Sequence, residues 1–149
     1  MDGAKINFGQ LFVSRPIALR GWFQYAPVNV THVGKNQPAG TITKGDPDVC
    51  SIYIALAKEA YTVNNTNIST FIKFKEDNNI IAYGELPVKE CVSTNGAWKE
   101  FTIDLEYKTQ EKPDNMYIIV VASASKYGDY FTGGDGSILY VDDFELIYD

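Results

Sequence analysis

Residues 99–107 read KEFTIDLEY, and their alternation is strict. Phe101, Ile103, Leu105 and Tyr107 fall on one parity, and Glu100, Thr102, Asp104 and Glu106 on the other. A period of two held over this length demands a half-buried strand, and one wet face implies antiparallel pairing. Residues 17–25 repeat the pattern, with Ile17, Leu19, Gly21, Phe23 and Tyr25 set against Ala18, Arg20, Trp22 and Gln24. Residues 50–57 do so again, with Cys50, Ile52, Ile54 and Leu56 set against Ser51, Tyr53, Ala55 and Ala57. Further strands are expected at 6–13, 70–75, 80–86, 117–124 and 138–148. Turn-forming residues separate them at 34–40, 45–48, 64–67, 77–79, 112–115 and 133–134. The one helix-compatible window, residues 55–60, has no cap and continues a strand. About eight or nine strands without helices predict one all-β domain over residues 1–149, an antiparallel β-sandwich of jelly-roll type. Its expected core holds Phe101, Ile103, Leu105, Val120, Val141, Phe144 and Leu146, with Trp98 at a core-facing strand start.

The last strand breaks its own rhythm. Leu139 and Val141 share one parity, whereas Phe144 and Leu146 take the other. One extra residue resets the phase, so a bulge at Asp142 and Asp143 lets all four apolar side chains face inward and turns at least one carboxylate towards the sandwich edge.

Composition removes several function classes. The net charge of −6 and the absence of a Lys/Arg cluster argue against nucleic acid, whose binding requires displaced counterions. No run of about 18 apolar residues is present to span a membrane as a helix. A single histidine, His32 in a turn-rich stretch, leaves little material for His-based metal sites or for Ser-His-Asp or Cys-His catalysis. Gly133–Gly134–Asp135–Gly136 carries an acid where a phosphate cradle needs a cation. Cys50 and Cys91 fit no zinc spacing and read as two buried thiols or one disulfide. The sequence opens without a basic, apolar, small-residue leader pattern, as expected of an intracellular protein or of a mature or truncated form, and MDG ahead of AKINF reads as a start partway into a longer polypeptide.

The landmarks Arg15–Pro16, Gly21–Trp22, Ile81–Ala82–Tyr83–Gly84, Trp98, Phe101 and Tyr107 are followed by Ser123–Ala124–Ser125–Lys126, Gly128–Asp129–Tyr130–Phe131, Gly133–Gly134, Gly136–Ser137 and Val141–Asp142–Asp143–Phe144. Together, from about Phe8 onward, they resemble the putative carbohydrate metabolism domain family. The resemblance implies a galactose-binding or carbohydrate-binding-module-like jelly roll. It also implies the C-terminal module of a longer exported protein of gut bacteria, in the periplasm or on the outer cell surface, behind neighbouring domains of the same polypeptide. It carries over no catalytic residue.

Three constellations are candidates for function. The first is a set of outward aromatics, Trp22, Tyr53 and Tyr83, neighboured by Arg20 and Gln24; sugar rings stack on such aromatics while polar side chains bond their hydroxyls. A covering loop or partner domain is the structural alternative. The second is the glycine-rich loop 127–136, where Tyr127 and Tyr130 are ligand candidates and Phe131 is expected to fold back on the core. The third is acidic: Asp142 and Asp143, with turn acids, would suit a structural calcium through oxygen ligands, or serve as ordinary bulge and turn acids. These features favour a non-catalytic glycan-binding or cell-surface adhesion module with a carbohydrate partner. The alternatives are a jelly-roll glycoside hydrolase, for which Glu85 is the outward acid beside the aromatics, and a structural spacer.

Overall fold

The computed structural model describes residues 4–38 and 40–149. Its strands are β1 (Lys5–Phe8), β2 (Gln10–Phe12), β3 (Ala18–Ala26), β4 (Ser51–Ala57), β5 (Tyr61–Asn64), β6 (Ile80–Glu85), β7 (Lys99–Asp104), β8 (Glu106–Tyr107), β9 (Met116–Ser123) and β10 (Ile138–Ile147). Three short 3-10 turns join them, and the described residues contain no α-helix. Every pairing is antiparallel. A three-stranded sheet, β10-β3-β7, faces a five-stranded sheet, β2-β9-β4-β6-β8, with the small ribbon β1-β5 at one end. This is the all-β antiparallel sandwich that the period-two runs demand.

The alternating runs supply the core. Leu19, Phe23 and Tyr25 of β3 and Phe101 and Ile103 of β7 meet Ile52, Ile54 and Leu56 of β4, all buried, while Glu100, Thr102 and Asp104 stay exposed. The 99–107 run is divided between the sheets. Its first half pairs with β3, and after Leu105 its second half pairs with β6, so the chain turns a corner and closes one side of the sandwich. Gly84 makes that corner possible: a Cβ there would lie 2.2 Å from the Asp104 carbonyl oxygen and 2.8 Å from Ile103 Cγ2.

The opposite side is open. β10 is an edge strand, and β2 pairs only with residues 116–118 of β9. Val120, Val141 and Phe144, expected in the core, are therefore 40%, 40% and 37% exposed. Their orientation is as expected, since Val141 sits opposite the buried Phe23 and Phe144 meets the Phe101 ring edge-on at 5.5 Å. What they lack is a covering strand. Leu139 and Leu146 pack against the core, and the phase between them is reset by a register shift between Asp142 and Glu145.

Two strand assignments change. Residues 70–75 form no strand; a 3-10 turn at Ile68–Thr70, capped by the Asn67 side chain, leads into a loop whose Phe74 lies over the large sheet. The strand lies instead at Tyr61–Asn64, where the Asn-rich turn that follows masks a four-residue run paired with β1. The loop also explains why β4 is buried on both faces despite its alternating pattern.

Gly84→Ala is expected to destabilise the domain by about 1–3 kcal/mol, because the obstacle is backbone that cannot step aside. Chemical denaturation checks this, and a neutral result would mean that the corner is looser than described.

Candidate functional site

The outer face of β10-β3-β7 is assembled by register. Asp142, Trp22 and Glu100 form one row across the sheet, and Glu145, Arg20 and Thr102 form the next. On the other side Tyr140 pairs with Gln24, and continuing the register by one residue sets Trp98 beside Gln24. Trp22, Trp98 and Tyr140 are 39%, 47% and 56% exposed. Trp98 is thus an outward aromatic, since it shares the parity of Glu100 and Thr102 rather than that of Phe101. Diagonal positions on adjacent strands are about 7–8 Å apart, within reach of large rings. Three aromatics with Arg20 and Gln24 therefore share one surface, which opens into a shallow hollow of ≈ 600 Å³ beside Arg20, Trp22, Glu100 and Asp143. An exposed ion pair, Arg20 to Glu145 at 2.6 Å, crosses its floor.

The bulge shapes one wall. Asp143 adopts φ 52°, a left-handed conformation that costs a non-glycine residue energy. Its amide donates to Asp142 Oδ1 at 2.8 Å, so one carboxylate caps the bulge. Both acids are exposed, and among the described residues no three acidic, His or Cys side chains converge as metal ligands.

Elsewhere a buried carboxylate is held by four converging donors. Asp48 is 2% exposed. Its Oδ1 accepts from the Val49 amide at 2.9 Å; its Oδ2 accepts from Ser125 Oγ at 2.6 Å, the Gly134 amide at 2.9 Å and Ser137 Oγ at 2.9 Å. Gly134 must be glycine for this approach, because a Cβ would meet the Val28 carbonyl oxygen at 2.8 Å. Ser137 immediately precedes β10, so Asp48 anchors the strand that carries Tyr140 and the bulge. No sequence motif marks Asp48; only the converging donors identify it.

The remaining candidates lie on the other side of the sandwich. Tyr53 and Tyr83 project outward from the five-stranded sheet, half-buried under the loop at 71–79. Phe74 stacks on Tyr83 at 4.6 Å and tilts against Tyr53 at 5.0 Å. Tyr130 packs edge-on against Phe71 at 5.1 Å, and Tyr127 leads into the 3-10 turn Gly128–Tyr130. These tyrosines therefore share no groove with Trp22. Phe131 is 58% exposed with φ 53°, so it does not cap the core; the left-handed turn points it away. Glu85 accepts from Lys126 at 3.1 Å and from the Tyr83 hydroxyl at 3.0 Å, also remote from the Trp22 face. Cys50 and Cys91 are free, fully buried thiols, and the Cys91 contact together with burial pushes Cys50 up.

With this geometry in view, the profile of the putative carbohydrate metabolism domain family matches residues 2–147. The chain belongs to that family. No protein of curated function matches it. Two solved structures share the fold. One, from Bacteroides thetaiotaomicron, is described as a putative glycoside hydrolase and superposes with a TM-score of 0.71 at 22% identity, covering 97% of this chain and 41% of that one. The other, from Bacteroides vulgatus and described in the same words, gives a TM-score of 0.67 at 26% identity, covering 95% of this chain and 55% of that one. The chain thus spans about half the length of these relatives. As a member of the family, it is a carbohydrate-metabolism-associated domain.

Two tests bear on how this family domain holds its site. Asp48→Asn should lower stability by about 3 kcal/mol, because an amide facing both clusters of donors must set its NH2 against another donor. A Tm drop of roughly 10 °C is expected, and an unchanged Tm contradicts the clamp. In the loop over Tyr53, the Tyr61 hydroxyl at 2.6 Å and then the Asn79 amide at 2.8 Å hold the Asp77 carboxyl below its usual range. Such a lowered group stabilises above the unfolded value of about 3.9 and loses that contribution as pH falls through the folded one. NMR titration should show Asp77 ionising below about 3.9 and moving up in Tyr61→Phe; no movement removes the assignment.

Proposed function

We propose that the outer face of β10-β3-β7 binds poly- or oligosaccharide without cleaving it, as a glycan-binding or cell-surface adhesion module. The observation that carries this reading is Trp22, 39% exposed at the centre of the sheet with Arg20 and Gln24 on its own strand and carboxylates on both neighbouring strands. Sugar C–H faces stack on an indole while hydroxyls bond to such groups. Trp98 and Tyr140 extend the platform. The hollow is too open to enclose a small ligand, and a polymer laid across it suits that shape better. Each hydroxyl bond replaces one to water and nets only about 0.5–1.5 kcal/mol, so dissociation constants in the micromolar-to-millimolar range follow. Such a module would act in the periplasm or at the outer cell surface, beside neighbouring domains of its own polypeptide.

A second reading rests on Glu100 and Asp143, which wall the hollow on either side of Trp22. They belong to the two strands that flank β3, whose backbones lie about 9–10 Å apart, so two acids face each other across an open surface as a glycosidase requires. The names of the two solved relatives point the same way.

Trp22→Ala should abolish binding on an array of host and plant glycans while leaving Tm within a few degrees. Unfolding instead would make Trp22 a structural residue and end the proposal. Polysaccharide cleavage that disappears in Glu100→Gln would favour the hydrolase, and neither binding nor cleavage would leave a spacer whose aromatics serve as an interface.

A further inference from the structure

On the far side of the sandwich the rings of Phe8, Tyr53, Phe71, Phe74 and Tyr130 line a cavity of ≈ 140 Å³ together with Val63, Ile72 and Asp129. They come from β1, β4, the loop after β5 and the 3-10 turn before β10, so the fold gathers them from across the sequence. The rings pair at angles, Tyr53 with Phe74 at 59° and Phe71 with Tyr130 at 72°, and so present π-faces in several directions. The exposed Asp129 carboxylate makes no hydrogen bond or ion pair among the described residues, so it is free to meet a ligand. Partial loss of hydration against the neighbouring rings raises its carboxyl above the ordinary range.

We propose that this cavity binds a quaternary ammonium group, with the aromatic faces enclosing the methyl groups and Asp129 neutralising the charge. Ring faces attract cations, and aromatic cages suit methylated ammonium ions in particular. A primary ammonium brings three donors that all need partners; a quaternary ion donates nothing and draws only on the ring faces and the Asp129 charge. At about 30 Å³ per water the space equals roughly five waters, enough for a trimethylammonium head and too small for an enclosed sugar ring. The site is separate from the Trp22 face, so either can fail without the other.

The test is titration of the chain with choline, with phosphocholine and with 3,3-dimethylbutan-1-ol, the neutral isostere of choline, followed by NMR at residues 127–131. Choline or phosphocholine should bind at least about tenfold more tightly than the isostere, and the tighter of the two identifies a free or an esterified head group as the source. Asp129→Asn should weaken choline at least about tenfold with little change in Tm, since the carboxylate holds no structural bond. Phe71→Leu, which keeps apolar bulk and removes a ring face, should also weaken it. Equal affinity for choline and the isostere, no binding of either cation, or an unchanged affinity in Asp129→Asn overturns the proposal.

Discussion

Removing a carboxylate from water costs several kcal/mol unless its lone pairs find donors, and besides the adjacent Val49 amide three donors distant in sequence converge on Asp48. The aspartate lies at the entrance to β4; its partners lie just after β9, in the Gly133–Gly134 turn and at the threshold of β10. It therefore ties the last long loop to the core at both ends. Beside it the buried Tyr25 hydroxyl donates to the Ala124 carbonyl at 2.7 Å. Burial first, and then the charge of Asp48, drive the Tyr25 phenol upward, which keeps it a donor. With β10 started at a defined residue, the register against β3 follows, and with it the row of Asp142, Trp22 and Glu100.

The two outer faces of the sandwich are dressed differently. The large sheet is covered by the loop after β5, which Lys108 holds by donating to the Phe74 carbonyl and Tyr61 by bonding Asp77. Among the described residues no loop covers the small sheet in this way, and Trp22, Trp98 and Tyr140 stay open to solvent. Exposed aromatics are tolerated where they have work to do. The asymmetry leaves an open aromatic surface on one face and a narrow, ring-lined cavity on the other.

Strand periodicity made most of this fold legible. The period-two runs at 17–25, 50–57 and 99–107 place the core of both sheets, and the broken parity at Asp142 and Asp143 foretells the bulge. Arg20, Trp22 and Gln24 are readable as one outward stripe because they sit on one strand. Parity along a strand does not say which sheet the strand joins, which is why Tyr53 and Tyr83 seem to belong with Trp22 and do not. Nor does it reveal edges: Val120, Val141 and Phe144 face inward and remain exposed because the sandwich is open on their side. Trp98 and Tyr140 join Trp22 only through cross-strand register, and Asp48 through contacts 77 to 89 residues away in sequence.

The chain has only two tryptophans, and both lie on the proposed face. Their indole N–H signals can therefore be followed during titration with a glycan that binds on an array. The account predicts that the Trp22 and Trp98 signals shift together with a single dissociation constant, while amides of the covered large sheet stay still. Binding that leaves both indole signals unmoved, or that perturbs the large sheet instead, would contradict it.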